Sequence, residues 1–531
     1  MAKQKNTPGK IDQYDLVLFN FQGIEHNISK IIYEFSIYED LFKNFNTCTV
    51  LIQDALGFTE RMPIVGDENI VITYKTPGDR FKLRTRQFKL YKTSKRIEGA
   101  QRQVNFIAHG IEEFAIRQEM QSVDKSFVGQ TVTKAIEDIY YDSVNAGSNA
   151  DKGFSGSLSA GTTGGLGNLG GTSSFMSAGA GVKQGKKYSS GRAQQNVLPL
   201  LGKGTDKIVQ SNNKTTYVAP GVTPMEAIHH LRKECIHKSG RNNSDYIFFQ
   251  NADGFHYTTL GELKEFGDQD GDNKKQFLLG DQALARGDGQ EEFPAENIIL
   301  KMSVRKTIDT ISNLSTGLYR NRVAVVDPLT KRYDSKTFIY NNEFGELELL
   351  NPRGNRIHAK NSQFTAPDSS TKTNYLVGEL TTNSINQEVG SKFTPRSDYK
   401  DTPYIKDAVD IDRDPKIKFP NERHTVLNRR MAERAVLDAI VLDIAIPGDS
   451  DIKVGDIIYI FAPQPTGTTT GATSKLFNLF YGVKEARFLV TAVEQKYVHS
   501  KENYITNIEV MKDSFELQPE KIRQIVESEF V

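Results

Sequence analysis

One run of signals occurs twice in this chain, near its two ends, and it limits the possible folds more than any other feature: strand, tight turn, strand, long loop, hairpin. In the C-terminal copy, Val436 to Ile446 alternates apolar and polar residues into Pro447-Gly448-Asp449-Ser450-Asp451. Ile452-Lys453-Val454-Gly455-Asp456 then leads to a strand over Ile457 to Ile460. After a gap come the strand signals Arg487 to Tyr497, a polar turn at Ser500 to Asn503, and Tyr504 to Val510. The N-terminal copy has a strand at Thr49 to Gln53, a turn at Pro63 to Glu68 containing Gly66-Asp67, and a strand at Ile70 to Tyr74. Phe88 to Tyr91, a polar turn at Lys95 to Gly99 and Gln103 to Ala108 follow. Glycine takes turn conformations that other residues resist, and aspartate bonds its own backbone, so Gly-Asp is at home in such a turn. Matching contexts point to a duplicated small β domain of barrel or sandwich type; the alternative is two unrelated β domains. Duplication equates Ile70–Tyr74 with Ile457–Phe461, and Gln103–Ala108 with Tyr504–Val510. It also equates Ser29 to Lys43 with a helical stretch, Glu422 to Arg434.

Between the two copies the period changes. Phe127, Val128, Val132, Ala135, Ile136, Ile139 and Tyr140 follow near-helical spacing, which predicts a helix over Ser126 to Tyr141 with Ser122 and Asp124 as candidate caps. From 145 to 195 the composition collapses to Gly, Ser, Ala and Thr, too little apolar surface to offset chain entropy, so a flexible insertion is expected. Pro224 opens a second predicted helix through Met225, Ile228, Leu231 and Cys235. Tyr246 to Phe249, Asn251-Ala252-Asp253-Gly254 and Phe255 to Tyr257 spell a hairpin. The expected class is mainly β with an α+β middle, in several domains. These are a first β-barrel over 11–112, a helical segment over 113–144, the insertion at 145–195, a mixed α/β middle with long polar loops over 196–420, a second β-barrel over 421–516 and a terminal helix over 517–531.

Bulk properties exclude several function classes. With 67 basic and 66 acidic residues the net charge is +1, so no global field favours nucleic acid or an anionic membrane. The two cysteines, Cys48 and Cys235, make no disulfide scaffold and fit a protein made in a reducing compartment. Leu16 to Phe21 is too short for a signal segment, and nowhere do roughly 18 apolar residues run together, so a soluble protein made without export is expected.

The stretch Pro447 to Asp456, with the hairpin Phe488 to Val510 and the following Met511-Lys512-Asp513-Ser514, resembles the second barrel of baseplate central hub proteins from contractile-tailed phages. The Gly66-Asp67-Glu68 unit resembles that family's first barrel, and Pro224 to Tyr257 its middle part. The same barrels occur in the N-terminal half of type VI secretion spike proteins. The resemblance implies a homotrimer whose two barrels per chain form a pseudo-sixfold ring, adapting a hexameric tail tube protein to a trimeric central spike protein. Other baseplate wedge proteins are further implied partners, with a central channel that DNA can traverse without specific binding. It also implies a virion protein of the tail baseplate, assembled in the host cytoplasm, without enzymatic activity, catalytic residue, metal or cofactor. Two alternatives stay open: a baseplate-associated peptidoglycan hydrolase, and the hub of a non-phage contractile injection system. The insertion and the polar stretch 353–416 depart from the family, and no spike module is read at the C-terminal end.

Several short stretches hold residues capable of chemistry. His229, His230, Cys235 and His237 cluster, but structural zinc needs four ligands and no second pair stands at a recognised spacing. Asp268, Asp270 and Asp272 begin like a calcium loop, but Asn273 and Leu279 replace its required Gly and Glu. Arg286-Gly287-Asp288 is a chance-level match, as are Gly165, Gly167 and Gly170, which lack a flanking strand and helix. Glu112 or Glu113 with a distant carboxylate is the minimum a glycoside hydrolase would need.

Overall fold

The computed structural model describes residues 9–20, 23–54, 57, 62, 64–78, 81–98, 103–143, 200–201, 210–211, 213–238, 245–266, 275–279, 294–307, 309–327, 332–351, 372–377, 423–463, 476–478 and 487–515. The 145–195 insertion, the Asp268–Asp272 loop, Arg286-Gly287-Asp288 and the terminal helix lie outside them, as does most of 353–416.

The N-terminal part is all strand: β1 (Gln13–Phe19), β2 (Glu25–Asn27), β3 (Ile32–Asp40), β4 (Thr47–Gln53), β5 (Asn69–Lys75), β6 (Arg84–Glu98) and β7 (Gln103–Ile111). Helix α1 (Glu113–Glu119), β8 (Ser126–Thr131) and helix α2 (132–143) follow. The helix expected from Ser126 therefore begins six residues late. Ser126–Thr131 pairs with β10 (Lys214–Val218), which buries Phe127 and leaves its neighbours Ser126 and Val128 exposed. Beyond β9 (Leu200–Leu201), α3 (Pro224–Arg232) carries a capping box in which Thr223 and Glu226 satisfy each other's backbone N–H groups. Then come the hairpin β11 (Tyr246–Asn251) and β12 (Gly254–Thr259), both strands buried throughout, and α4 (Leu260–Phe266).

The chain continues through β13 (Lys275–Leu279), β14 (Ile298–Ile299), β15 (Lys301–Lys306) and α5 (Thr310–Thr316). A separate sheet is built from β16 (Arg320–Asp327), β17 (Arg332–Ile339) and β18 (Lys372–Val377), and α6 (Arg423–Leu437) packs its Ala432 and Val436 into a cluster with Phe338 and Tyr340. The last part holds β19 (Ile440–Pro447), β20 (Ile457–Pro463), β21 (Leu476–Asn478), β22 (Arg487–Val498) and β23 (Asn503–Lys512).

The two ends share one strand order. The N-terminal end runs β3-β4-β7-β6-β5 and the C-terminal end runs β15-β19-β23-β22-β20, with all neighbours antiparallel. Strands 1 to 5 of each run are thus ordered 1-2-5-4-3. Register matches as well. Phe88 faces Ile70 as Phe488 faces Ile458, and Ala108 faces Val50 as Ile508 faces Ile444. Both hairpins carry a bulge at the same place, between Leu90 and Lys92 and between Val490 and Ala492. The strands equated from the sequence, Ile70–Tyr74 with Ile457–Phe461 and Gln103–Ala108 with Tyr504–Val510, accordingly hold equivalent places.

Among the described residues both ends belong to one 15-stranded sheet, because β3 pairs with β22 and makes them continuous. Two expectations are corrected. Ser29 to Lys43 is not the counterpart of the helix before the second unit. Its strand β3 pairs with β4 as β15 pairs with β19, and α6 lies elsewhere, on β16 and β17. Finally, the equivalent of Asp456 is Glu68 rather than Asp67. The carbonyl of Glu68 accepts from Leu90 N at 2.9 Å, and that of Asp456 accepts from Val490 N at 2.9 Å. Both carboxylates are buried and accept a backbone N–H three residues earlier, Val65 or Lys453, while Asp67 points outward to Lys89.

Candidate functional site: the joint between the two sheet repeats

The two repeats meet along one antiparallel pair, in which Glu34 to Asp40 of β3 face Val498 to Ala492 of β22. Alternation puts Phe35 and Ile37 of β3, and Tyr497 of β22, into a common core with Tyr74 and Tyr504. The ring centroids of Phe35 and Tyr497 are 5.5 Å apart, those of Tyr14 and Tyr497 4.9 Å and those of Tyr74 and Tyr504 6.3 Å. Two tyrosines of the second repeat thus complete the apolar interior of the first. At the rim Tyr14 Oη lies 2.8 Å from His499 Nδ1, and Lys496 pairs with Glu34 at 2.7 Å. The turn Pro447-Gly448-Asp449 is stitched to the first repeat through Thr76. Its hydroxyl donates to Gly448 O at 3.2 Å and accepts from Ser450 N at 2.8 Å.

Behind the joint lies a cluster of buried charge where the tip of the β11–β12 hairpin enters. Arg86 of β6 pairs with the buried Glu39 of β3 and donates to Asn251 O at 2.9 Å. Glu39 also accepts from Val454 N of the second repeat at 3.4 Å, and Asn251 Nδ2 donates to Val454 O at 3.3 Å. Asp253 in the hairpin turn takes Lys453 from the second repeat and Arg84, at 3.4 Å, from the first. Arg84 also reaches Asp451 at 3.1 Å, and Lys275 reaches Asp456 at 2.7 Å. Gln250 accepts from Asn46 N at 2.9 Å and donates to Glu112 at 2.8 Å.

These environments set the ionisation. Burial pushes the Glu39 carboxyl up, and the opposing charge of Arg86 does not cancel it. Burial also raises Glu112, more than its hydrogen bond from Gln250 lowers it. For Asp253, burial acts upward, but Lys453 and Arg84 outweigh it and hold the carboxyl below its usual range. Lys275 is the mirror case: burial acts downward, and Asp456 more than offsets it. The cluster is a network of paired charges that fastens three parts of the chain.

Among the described residues, those singled out from the sequence have partners within the chain. His229 Nε2 lies 3.1 Å from Asn44 Oδ1, and burial pulls the His229 pKa down to about 4. His230 stacks on Tyr217 and pairs with Glu234; His237 pairs with Glu262 at 3.2 Å. Cys235 Sγ is 3.0 Å from the buried Tyr257 hydroxyl. Among the described residues no three His, Cys, Asp or Glu side chains gather to hold a metal. Glu112 serves the hairpin contact, and Glu113 pairs with Arg117 at 2.7 Å within α1. No helix among the described residues is long and apolar enough to cross a membrane. Sequence reasoning missed the joint itself, since Glu39, Arg86 and Asn251 lie in three separate elements and form no motif.

No protein-family model matches the sequence, and no curated protein matches it. The solved structures it resembles are phage tail and type VI secretion proteins. One is the tail protein from Neisseria meningitidis MC58, with a TM-score of 0.44 and 10% identity over 94% of this chain and 97% of that one. Another is the 43 kDa tail protein of prophage MuSo2 from Shewanella oneidensis, with a TM-score of 0.42 and 8% identity over 94% and 99%. A third, at a TM-score of 0.32 and 8% identity over 92% and 76%, is an E. coli component of the type VI secretion system, itself described as similar to tail proteins of bacteriophage T4.

Proposed function

We propose that this chain is a structural hub of a contractile-tail baseplate. It acts as a homotrimer whose two sheet repeats per chain supply six near-equivalent units around one axis. The observation that carries this reading is the shared 1-2-5-4-3 strand order of the two ends, with the matched bulge and matched register. A closed ring needs nearly equal contacts, and three copies meet a sixfold partner only if each brings two equivalent units. The partners are then a hexameric tail tube protein on one side and a trimeric spike on the other. The network of matched charge at the joint suits a part that transmits load, because it locks both repeats and the central hairpin together. Light scattering on the full chain, alone and with its spike, is the test. A mass of three chains is expected; a stable monomer or hexamer under both conditions refutes the reading.

A further inference from the structure

Three ionisable side chains from three separate elements meet in the interior between the middle part and the end of the second repeat. Lys264 of α4 is 3% exposed, Glu433 of α6 is 3% exposed, and Asp513, just after β23, is fully buried. One core cluster takes Leu260 and Leu263 from α4, Leu437 from α6 and Phe515 from the segment after β23, so these elements pack on one another here. Glu433 stands one turn before Leu437 and shares its helix face.

Lys264 Nζ donates to Asp513 Oδ2 at 2.8 Å and to Glu348 O at 2.9 Å, which aims the nitrogen at the carboxyl group. Asp513 is held from its other side. Leu350 N donates to both carboxyl oxygens at 3.1 Å, and the Ser514 hydroxyl donates to Oδ1 at 2.7 Å. Such donors stabilise negative charge building on oxygen when a nucleophile adds to the carbon. Neither oxygen of Glu433 has a hydrogen-bond partner among the described residues. Burial pushes the Glu433 pKa up to about 8, and Lys264 is the charge that acts on it most strongly, ahead of Asp245, Glu348 and Arg430.

An ion pair this enclosed carries a desolvation cost that neutralisation removes. An amine fixed against a carboxyl group, with a protonated acid facing the amine, is also the set that amide formation needs: nucleophile, acyl carbon and proton carrier.

We propose that Lys264 and Asp513 join in an isopeptide bond, with Glu433 carrying the proton between them. The Lys264 ammonium first passes one proton to Asp513, leaving an amine and a carboxylic acid. The amine lone pair then forms the Nζ–Cγ bond. Glu433 gives its proton to the departing oxygen and takes one from the nitrogen. The Cγ–O bond breaks, one water leaves, and Glu433 ends as it began. No oxidant or further reactant is consumed. The bond closes a loop from residue 264 to residue 513 and ties α4 covalently to the end of the second repeat, whether or not the chain is a hub.

Intact-mass spectrometry of the full chain, purified and then denatured, is the test. The mass should lie below the sequence sum by one water, and digestion should yield one branched fragment containing both Lys264 and Asp513. On a denaturing gel the looped chain should run ahead of Lys264→Met, which cannot form the bond. Glu433→Gln keeps the side chain's size and removes its acid, so the folded variant should retain its full mass. Glu433→Asp should restore the loss of water at a slower rate. The parent chain alone decides the bond, so a variant that fails to fold does not cloud it. An unchanged parent mass refutes the bond. So does a loss of water without the branched fragment, which marks a ring closed by Asp513 on its own backbone. A Glu433→Gln chain that links as fully as the parent refutes the role given to Glu433.

Discussion

Replacing Arg86 by methionine removes the cation paired with Glu39 while keeping most of the side chain's volume. Arg86 and Glu39 side chains are 10% and 4% exposed, so the lost partner cannot be replaced by bulk water. Removing one member of a buried ion pair typically costs about 3–5 kcal/mol, because the other charge stays buried without compensation. Asn251 O loses its 2.9 Å donor in the same change, at a net cost of about 1 kcal/mol. Together Arg86→Met should therefore destabilise the joint by about 4–6 kcal/mol. Glu39→Gln in the same chain removes the stranded charge, so the double variant should recover a large part of that loss, which a double-mutant cycle measures. The pH dependence has a definite sign. Burial already raises the Glu39 carboxyl, and without Arg86 it must rise further. A raised carboxyl favours the folded state while protonated, fully so below its unfolded value near 4.5, and this is lost as pH rises through the folded value. Hence the Arg86→Met defect should be smaller at pH 5 than at pH 8. Denaturant unfolding followed by hydrogen exchange on β3, β6 and β22 reads the joint locally. A loss below about 1 kcal/mol, or one independent of pH, would refute the claim that this pair holds the repeats together.

Two further substitutions probe other parts of the same design. A methyl group on Gly448 would lie 1.9 Å from Tyr504 Cδ1, against a fully buried ring whose hydroxyl donates to Gln495 at 2.7 Å. Gly448→Ala should therefore cost at least about 1–3 kcal/mol in thermal or denaturant unfolding, and Tyr504→Leu in the same chain should make the added methyl far less damaging. Glu433 is 3% exposed, neither carboxyl oxygen has a hydrogen-bond partner among the described residues, and burial pushes its pKa up to about 8. Its contribution to stability is full below about 4.5, erodes as pH rises and is gone above about 8, so Glu433→Gln should flatten the stability curve across that window. An unchanged slope between pH 5 and 8 would count against a buried, protonated Glu433.

The sequence by itself determined the local pieces. Period-two alternation at Ile440–Pro447 and Asn503–Lys512, the Asn251-Ala252-Asp253-Gly254 turn and the helix start at Pro224 are decided by neighbours a few residues away. The repeat was legible for the same reason, since turn chemistry and strand spacing survive as pattern. Only the tertiary structure decided what lies between distant elements. It made Ser126–Thr131 a strand by giving it β10 as a partner, against a helical spacing that Phe127 and Val128 satisfied by coincidence. It placed Glu68 rather than Asp67 under the first turn, because a hydrogen bond from Leu90, more than twenty positions on, sets which acid turns inward. It joined the two repeats through β3 and β22, over 450 residues apart in the chain, a pairing that no local pattern announces. Strand pairing is satisfied by any edge with open N–H and C=O groups, so the choice of partner rests on where the whole chain leaves an edge free, and no local stretch encodes that.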